Sequence, residues 1–187
     1  MTPTADDATI DLTTTELRAV TGYAVACARP ALAIFEASRQ ADRRPRAALE
    51  AAQAFAAGGS RTKALRDVAW AAQRAYGAAR DAGQEAEGEA ARAAVAAAGA
   101  AFLHPLAKAT QVWHLLGSAA HAARAFECAA GDERTVGAEH VARALDLAGP
   151  VVVDVLSRYP AAPSGRGRTG ELLRSLDTAL RRGATAG

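Results

Sequence analysis

The chain has 187 residues, which is enough for one domain with a sizeable core, alone or with an appendage. Alanine occupies 53 positions, whereas there are only four Phe, three Tyr and two Trp residues. Because alanine is the strongest helix former and the smallest apolar side chain, this composition argues against a β-rich fold. The net charge of +2 is too small to indicate a nucleic-acid-binding protein.

Neither the cysteines nor the apolar segments indicate a secreted or membrane protein. Cys27 and Cys128 lie far apart without the spacing of metal ligands, and we expect both to be reduced and buried. The N-terminal sequence is polar and acidic, unlike a signal peptide, and the uncharged run 93–107 is too short to span a membrane. The sequence therefore predicts a soluble cytoplasmic protein without a cofactor or a metal.

The N-terminal part of the chain is predicted to be a flexible tail followed by a helix. Residues 1–12 show no apolar periodicity and form the predicted tail. Thr13 and Glu16 have the spacing of a capping box, which indicates a helix start. This helix continues to about Ser38, with a kink at Pro30, since proline lacks the amide hydrogen that an internal helical turn uses.

Three further helices are predicted in the alanine-rich stretch that follows. Asp42 and Ser60 are the expected N-caps of the first two. Pro105 is expected to bend or end the third, because the residue before a proline disfavours the α conformation. The predicted ranges are about 45–57, 61–81 and 85–103.

The rest of the chain is predicted to add two longer helices, a linker and a short C-terminal helix. The longer helices span about 105–130 and 137–158, the second with Pro150 inside it. Residues 159–169 are rich in Pro, Gly and Arg and form the predicted linker, and a helix and tail follow over 170–187. The predicted fold is an all-α, single Ala-rich bundle of about six to eight antiparallel helices over 13–158, several of them interrupted by proline.

A polar stripe along the predicted helix 105–130 and the residue before it contains three of the four histidines. At about 100° per residue, its six members fall within an arc of roughly 140°. The opposite arc is apolar, is centred on Trp113 and is expected to organise the core. The stripe is either the solvated face of a core helix or a surface that binds a ligand or partner, and the sequence leaves both open. Its members are His104, Lys108, Gln111, His114, Ser118 and His121.

No pattern in this stripe indicates a metal site or a catalytic residue. His114 and His121 are seven residues apart, a rise of about 10 Å, which is too far for one metal ion on a straight helix. The HxxxH spacing of metalloproteases and the GxSxG motif of serine hydrolases do not occur. Arg124 and Glu127 lie on the apolar side, so either the helix leaves the core there or another helix buries this pair.

Several stretches resemble the all-helical "putative immunity protein" family of actinobacteria. Relatives in this family often carry the description of an SMC-type exonuclease. This chain has no GxxxxGK[ST] phosphate-binding loop, no long heptad coiled coil and no nuclease-type metal cluster, so we do not expect that activity. The similar segments are 16–36, 42–55, 60–74 and 104–124, and 158–173 is similar to longer members of the family.

The resemblance implies a cytoplasmic, non-catalytic immunity or self-protection protein that binds a toxic protein or molecule. Immunity proteins usually act by covering the active site or substrate-binding surface of the toxin. The candidate contact surfaces are the charged loop Arg39–Arg46, the polar stripe and the arginine-rich tail. We expect neither nucleic acid nor a membrane as a partner, and the sequence leaves a homodimer open.

The alternative is a small-molecule-binding helical protein, or an enzyme of a biosynthetic or resistance pathway, with a histidine-lined pocket between helices. This alternative predicts that His114 or His121 lines a concave cavity. The immunity hypothesis predicts a convex and exposed contact patch, on the stripe or elsewhere.

Overall fold

Residues 9–185 of the computed structural model are described here, and they fold into helices with one isolated β-bridge, between Thr9 and Leu106. A turn of 3-10 helix joins the first two of the nine α-helices into one bent helix, so the described residues form eight separate helical segments. This confirms the predicted all-α bundle. The helices are α1 (Thr14–Ala28), α2 (Leu32–Ser38), α3 (Arg44–Ala56), α4 (Lys63–Asp81), α5 (Glu85–Ala100), α6 (Val112–Ala129), α7 (Arg134–Leu147), α8 (Pro150–Ser157) and α9 (Gly167–Thr185).

The first helix begins and bends as its sequence predicts. The Thr13 amide donates a hydrogen bond to Glu16 Oε2 at 2.7 Å, and the Glu16 amide donates to Thr13 Oγ1 at 3.2 Å, which completes the capping box. Pro30 lies in the 3-10 turn Arg29–Ala31 that separates α1 from α2. The bend keeps both helices against the core.

Two other predicted boundaries are wrong. Thr62, not Ser60, caps α4, because its hydroxyl accepts a hydrogen bond from the Leu65 amide at 3.4 Å. The predicted helix 137–158 is two helices, and Pro150 begins the second of them. Proline suits the first turn of a helix, where its missing N–H would have no intrahelical partner.

The predicted helix 105–130 is also wrong over 105–111, since this part of the chain is irregular up to a 3-10 turn at Ala109–Gln111 and α6 begins only at Val112. Other parts of the chain satisfy its backbone: the Ile10 amide donates to the Pro105 carbonyl at 2.7 Å, and the Tyr159 hydroxyl donates to the His104 carbonyl at 2.9 Å. These bonds, together with the restriction that Pro105 places on His104, stabilise a non-helical path.

The same contacts order part of the predicted N-terminal tail. Residues 1–8 lie outside the described residues, but Ile10 is buried in the core. Residues 9–12 are therefore an arm that pairs with the segment before α6.

The core is built from alanine contacts between helices and from a few larger side chains. Helix α5 packs against α4 and α6 and buries alanine on most of its surface, which allows close approach of the helices. In α6, Leu115 and Leu116 are fully buried, whereas Trp113 is only half-buried. The prediction of a core centred on Trp113 is therefore wrong, and the two leucines take that place in the core.

Helix α9 begins at Gly167, three residues before the predicted start, and packs against α6, α7 and α8. Its apolar face is buried through Leu172, Leu173, Leu176 and Leu180. Within residues 9–185, no helix is both long enough and apolar enough to cross a bilayer.

Candidate functional site

A cleft of about 430 Å³ opens between α4, α5 and the start of α6. Its walls combine aromatic rings with guanidinium groups, and we call it the arginine cleft. Helix α4 supplies the rim and α5 supplies the base, while the loop before α9 reaches over the start of α6. The cleft is lined by these aromatic, cationic and amide side chains, among others: Arg66, Trp70, Gln73, Arg92, Phe102, Gln111, Trp113, His114, His121 and Arg166.

The structure brings together half of the predicted stripe. Gln111, His114 and His121 line the arginine cleft. Ser118 is buried in the core, His104 is exposed outside the cleft, and Lys108 is half-buried outside it. His104 and Lys108 do not continue the stripe because the chain before Val112 is not an α-helix. The helical spacing from which the stripe was predicted does not apply there.

His114 is held in one tautomer by the end of α5. Its Nδ1 lies 3.1 Å from the Gly99 carbonyl oxygen, and because a carbonyl only accepts hydrogen bonds, Nδ1 carries the proton. Burial lowers the pKa of His114, and the charge of Arg92 lowers it further, against the effect of the Gly99 hydrogen bond. The ring is therefore neutral at pH 7, with Nε2 as an acceptor.

His121 is paired instead of free. Its Nδ1 lies 2.6 Å from Glu89 Oε2 on α5, and its ring is tilted against Trp113 with centroids 5.7 Å apart. Glu89 is a residue that the sequence analysis missed, because 32 positions separate it from His121. The pair positions the histidine and leaves the Glu89 carboxylate already engaged.

Three arginines face the arginine cleft, and the sequence analysis missed these as well. Arg66 lies over the Phe102 ring at 5.1 Å, and Arg166 lies over the Trp113 ring at 4.5 Å. Arg92 donates a hydrogen bond to Gln73 Oε1. Among residues 9–185, no salt bridge joins any of these three guanidinium groups to a carboxylate.

A local signal for Arg92 does exist in the sequence. It is the one charged residue between Glu89 and Lys108, inside a run of alanines that the fold buries. Burial lowers the pKa of Arg92, and the positive charge of Arg166 acts in the same direction, against Tyr76 and Glu89, which raise it. A single charge inside an otherwise uncharged, alanine-rich stretch marks a candidate functional residue.

The charged loop Arg39–Arg46 satisfies most of its own charges. Arg44 pairs with Asp42 at 2.6 Å, and Arg46 donates to Glu36 Oε1 at 2.6 Å. Arg39 donates to Gln84 Oε1 at 2.7 Å. Because Arg44 and Arg46 pair with carboxylates, the described part of this loop has fewer guanidinium groups without a salt bridge than the arginine cleft, and it is less suited to bind an anionic group.

The arginine-rich tail is also bonded inward. Arg181 pairs with Asp177 at 2.8 Å, and Arg174 donates to the Gly165 carbonyl at 2.8 Å. Arg168 lies against α6, where it pairs with Glu127 at 2.9 Å. These contacts dock α9 on the bundle.

Arg124 and Glu127 lie on the apolar side of α6, where either the helix leaves the core or another helix buries the pair. The structure shows the second arrangement, because another helix buries Glu127. It is 1% exposed and lies 2.9 Å from both Arg124 and Arg168, a set that we call the Glu127 network. Burial by itself raises the pKa of Glu127, but the two arginines outweigh it and lower the pKa. Arg124 also pairs with Glu85 at 2.7 Å and Asp132 at 2.8 Å, so every member of this network has an opposite charge.

Neither cysteine is an activated nucleophile. Both thiols are free; Cys27 is buried and Cys128 is half-buried, so Cys128 is less enclosed than predicted. Burial raises the pKa of each thiol to about 12. Within the described part of the chain, no group of three or more His, Cys, Asp or Glu side chains could hold a metal ion.

Comparison with known families gives one match. The sequence model of the family described as "Imm-5 like putative immunity protein" matches residues 11–147, which run from the N-terminal arm to the end of α7. This match confirms the resemblance seen in the sequence. No curated protein and no solved structure matches the chain.

Proposed function

The chain belongs to the Imm-5-like immunity protein family, and we propose that it protects its host cell by binding a toxic protein in the cytoplasm, without catalysis. The family match over residues 11–147 carries this proposal. We assign the contact surface to the arginine cleft and its rim.

Trp70 supports the choice of this surface. It is one of two tryptophans in the chain, it lines the arginine cleft, and it is 62% exposed. Binding energy at protein interfaces is concentrated in a few residues, and Trp and Arg are enriched among them. An exposed Trp70 one turn away from Arg66 on α4 is a suitable anchor of this kind.

The rest of the arginine cleft is held in place, which suits binding. Gly99 and Glu89 engage the Nδ1 atoms of His114 and His121 and so fix the orientation of both rings. The walls are parts of α4, α5 and α6 that pack against each other through alanine, so the cleft is preformed. A preformed surface loses little conformational entropy when a partner binds, which favours tight occlusion of a toxin.

The test is protection of cells from the toxic proteins encoded beside this gene. Each neighbouring open reading frame is expressed with and without this protein, and survival and complex formation are measured. We expect survival with one partner and a stable complex, and Trp70→Ala should weaken that complex by about tenfold or more. Leu147→Ala is the matched control, because Leu147 is also exposed, at 50%, but does not line the arginine cleft.

If no neighbouring protein is toxic in a way that this chain relieves, the proposal is wrong. If the complex forms but Trp70→Ala binds as tightly as the native chain, the arginine cleft is the wrong surface.

One observation favours the small-molecule alternative. Gln111, His114 and His121 line a concave cavity of about 430 Å³, as that alternative predicts, and not a convex patch. This volume is typical of small-molecule sites. Native mass spectrometry of the protein purified from its host tests for a retained ligand, and binding of that ligand should be lost in His114→Ala and His121→Ala. Unchanged binding in both variants would exclude this alternative.

A further inference from the structure

We infer that the arginine cleft recognises a protein segment with a carboxylate side chain beside an apolar one, and that Arg92 and Arg166 determine this specificity. The inference rests on the proposed function and names the chemistry that the partner must present.

Arg92 is the first support. Its side chain is half-buried, and its guanidinium group has five N–H donors. Among the described residues, only Gln73 accepts a hydrogen bond from it. Removing a cation from water is costly unless an anion compensates it. A carboxylate that enters the cleft can accept two parallel hydrogen bonds from a guanidinium, which is the strongest geometry for this pair.

The balance of charge is the second support. Arg66, Arg92 and Arg166 all line the arginine cleft, and the nearby Glu89 is engaged by His121. The charge of Arg166 contributes to lowering the pKa of Arg92, so the two cations repel each other across the cleft. An anionic group between them relieves this repulsion.

The aromatic rings explain why a carboxylate should have an apolar neighbour. Arg66 and Arg166 lie with their guanidinium groups over Phe102 and Trp113, and this stacking leaves their N–H edges available. The Trp113 indole N–H is buried without a hydrogen-bond partner. With the exposed ring of Trp70 at the rim, the cleft can enclose an apolar side chain while its arginines bind the acid beside it.

Arg166 gives the cleft a feature that lies outside the family match. Among the described residues that line the cleft, Arg166 alone lies beyond residues 11–147, the range that the family model matches. Its backbone has a φ of 62°, in the left-handed region, and its carbonyl accepts a hydrogen bond from Gly170 at 3.0 Å in the first turn of α9. The C-terminal segment therefore completes the cleft and sets which partners this chain accepts.

The experiment follows the two indole N–H signals of the full chain by nuclear magnetic resonance, assigned with Trp70→Phe. The probes are the capped peptide Ala-Glu-Phe-Glu-Ala, its Gln-for-Glu counterpart, and inorganic phosphate. We expect the acidic peptide to shift the Trp113 signal saturably and to bind about tenfold or more tightly than the Gln peptide. Arg92→Gln and Arg166→Gln should each lose about tenfold in affinity or more.

Arg74→Gln is the matched control, because Arg74 is exposed on α4 and does not line the cleft, and its affinity should be unchanged. Arg166 is exposed, so its variant reports on binding even if Arg92→Gln perturbs folding. Equal binding of both peptides, no saturable shift with either, or a response to phosphate alone would overturn the inference.

The same variants separate this inference from the proposed function. If Arg92→Gln and Arg166→Gln still protect cells and bind the toxin as the native chain does, the inference is wrong and the immunity function stands. If the native chain protects against no neighbouring protein, the immunity function is wrong whatever the peptides do.

Discussion

Arginines from several elements lie at both ends of helix α6, and their charges are balanced differently at the two ends. Near its end, Glu127 is enclosed by Arg124 and Arg168, each 2.9 Å from the carboxylate. Beside its start, the described residues pair neither Arg92 nor Arg166 with a carboxylate. Arginine is the same residue in both places, so the difference lies in what surrounds it.

By this difference we distinguish a stabilising site from the binding site that we propose. In the Glu127 network the protein satisfies its own buried charge, and the result is a link between α6 and α9. In the arginine cleft none of the three guanidinium groups forms a salt bridge with a carboxylate of the described residues, as is expected where a partner supplies the anion. Substitutions in the Glu127 network and at Arg92 test this contrast.

Glu127→Gln should cause the largest loss of stability. The substitution leaves two partly buried guanidinium groups without their shared carboxylate, and we expect the free energy of unfolding to fall by about 3 kcal/mol. Urea denaturation measures this change. Glu171→Gln is the control: this exposed residue also pairs with Arg168, at 3.0 Å, and should change stability far less, because solvent screens an exposed ion pair.

Equal effects of the two substitutions would contradict the contrast, because they would show that burial adds nothing to the pairing of Arg168.

Acid should remove the contribution of the Glu127 network reversibly. The arginines hold the pKa of Glu127 below its ordinary value of 4.5 in the folded protein. A carboxyl whose pKa is lower in the folded state stabilises the fold above pH 4.5, and this stabilisation is lost as the pH falls through the folded-state pKa. The urea midpoint of the native chain should decline below pH 4.5 more steeply than that of Glu127→Gln, and parallel curves would contradict the assignment.

Gly137→Ala should disturb the same network through its geometry. A Cβ atom at Gly137 would lie 2.1 Å from Glu127 Oε2 and 3.4 Å from Leu172 Cδ2, so the carboxylate would have to leave Arg168. We expect a loss of about 2 kcal/mol. Gly77→Ala, in α4, meets nothing within 4 Å and should stabilise the protein by about 0.5 kcal/mol, because alanine favours a helix more than glycine. Thermal unfolding compares the pair, and two changes of the same sign would contradict this assignment.

Arg92→Met should have the smallest effect on stability. Methionine keeps the apolar part of the side chain and removes a half-buried charge, so we expect the free energy of unfolding to stay unchanged or to rise by up to about 1 kcal/mol. Arg168→Met should instead lower the free energy of unfolding, since Glu127 then loses one of its two partners. A large loss in Arg92→Met would mean that this arginine serves the fold instead of a partner.

Local sequence patterns predicted much of the fold because they depend on neighbours within one or two turns. The capping box of Thr13 and Glu16 and the kink at Pro30 are both present. The path of 104–111 was not predictable in this way, because hydrogen bonds from Ile10 and Tyr159 help to hold it.

The candidate site was found in part for the same reason. His114 and His121 share a regular helix, and they line the same cleft. Arg66, Glu89 and Arg166 join them from other parts of the chain, and no spacing within α6 indicates them.

The local properties of the chain, which are helix propensity, capping and family segments, identify an alanine-rich helical bundle and a relative of immunity proteins. Which arginines pair with a carboxylate, and which do not, depends on the tertiary structure. Charge balance depends on distances between residues that are far apart in the chain, such as Glu127 and Arg168 or Arg92 and Arg166. The packing of α9 and the loop before it against α6 sets these distances, and through them the difference between the two ends of α6.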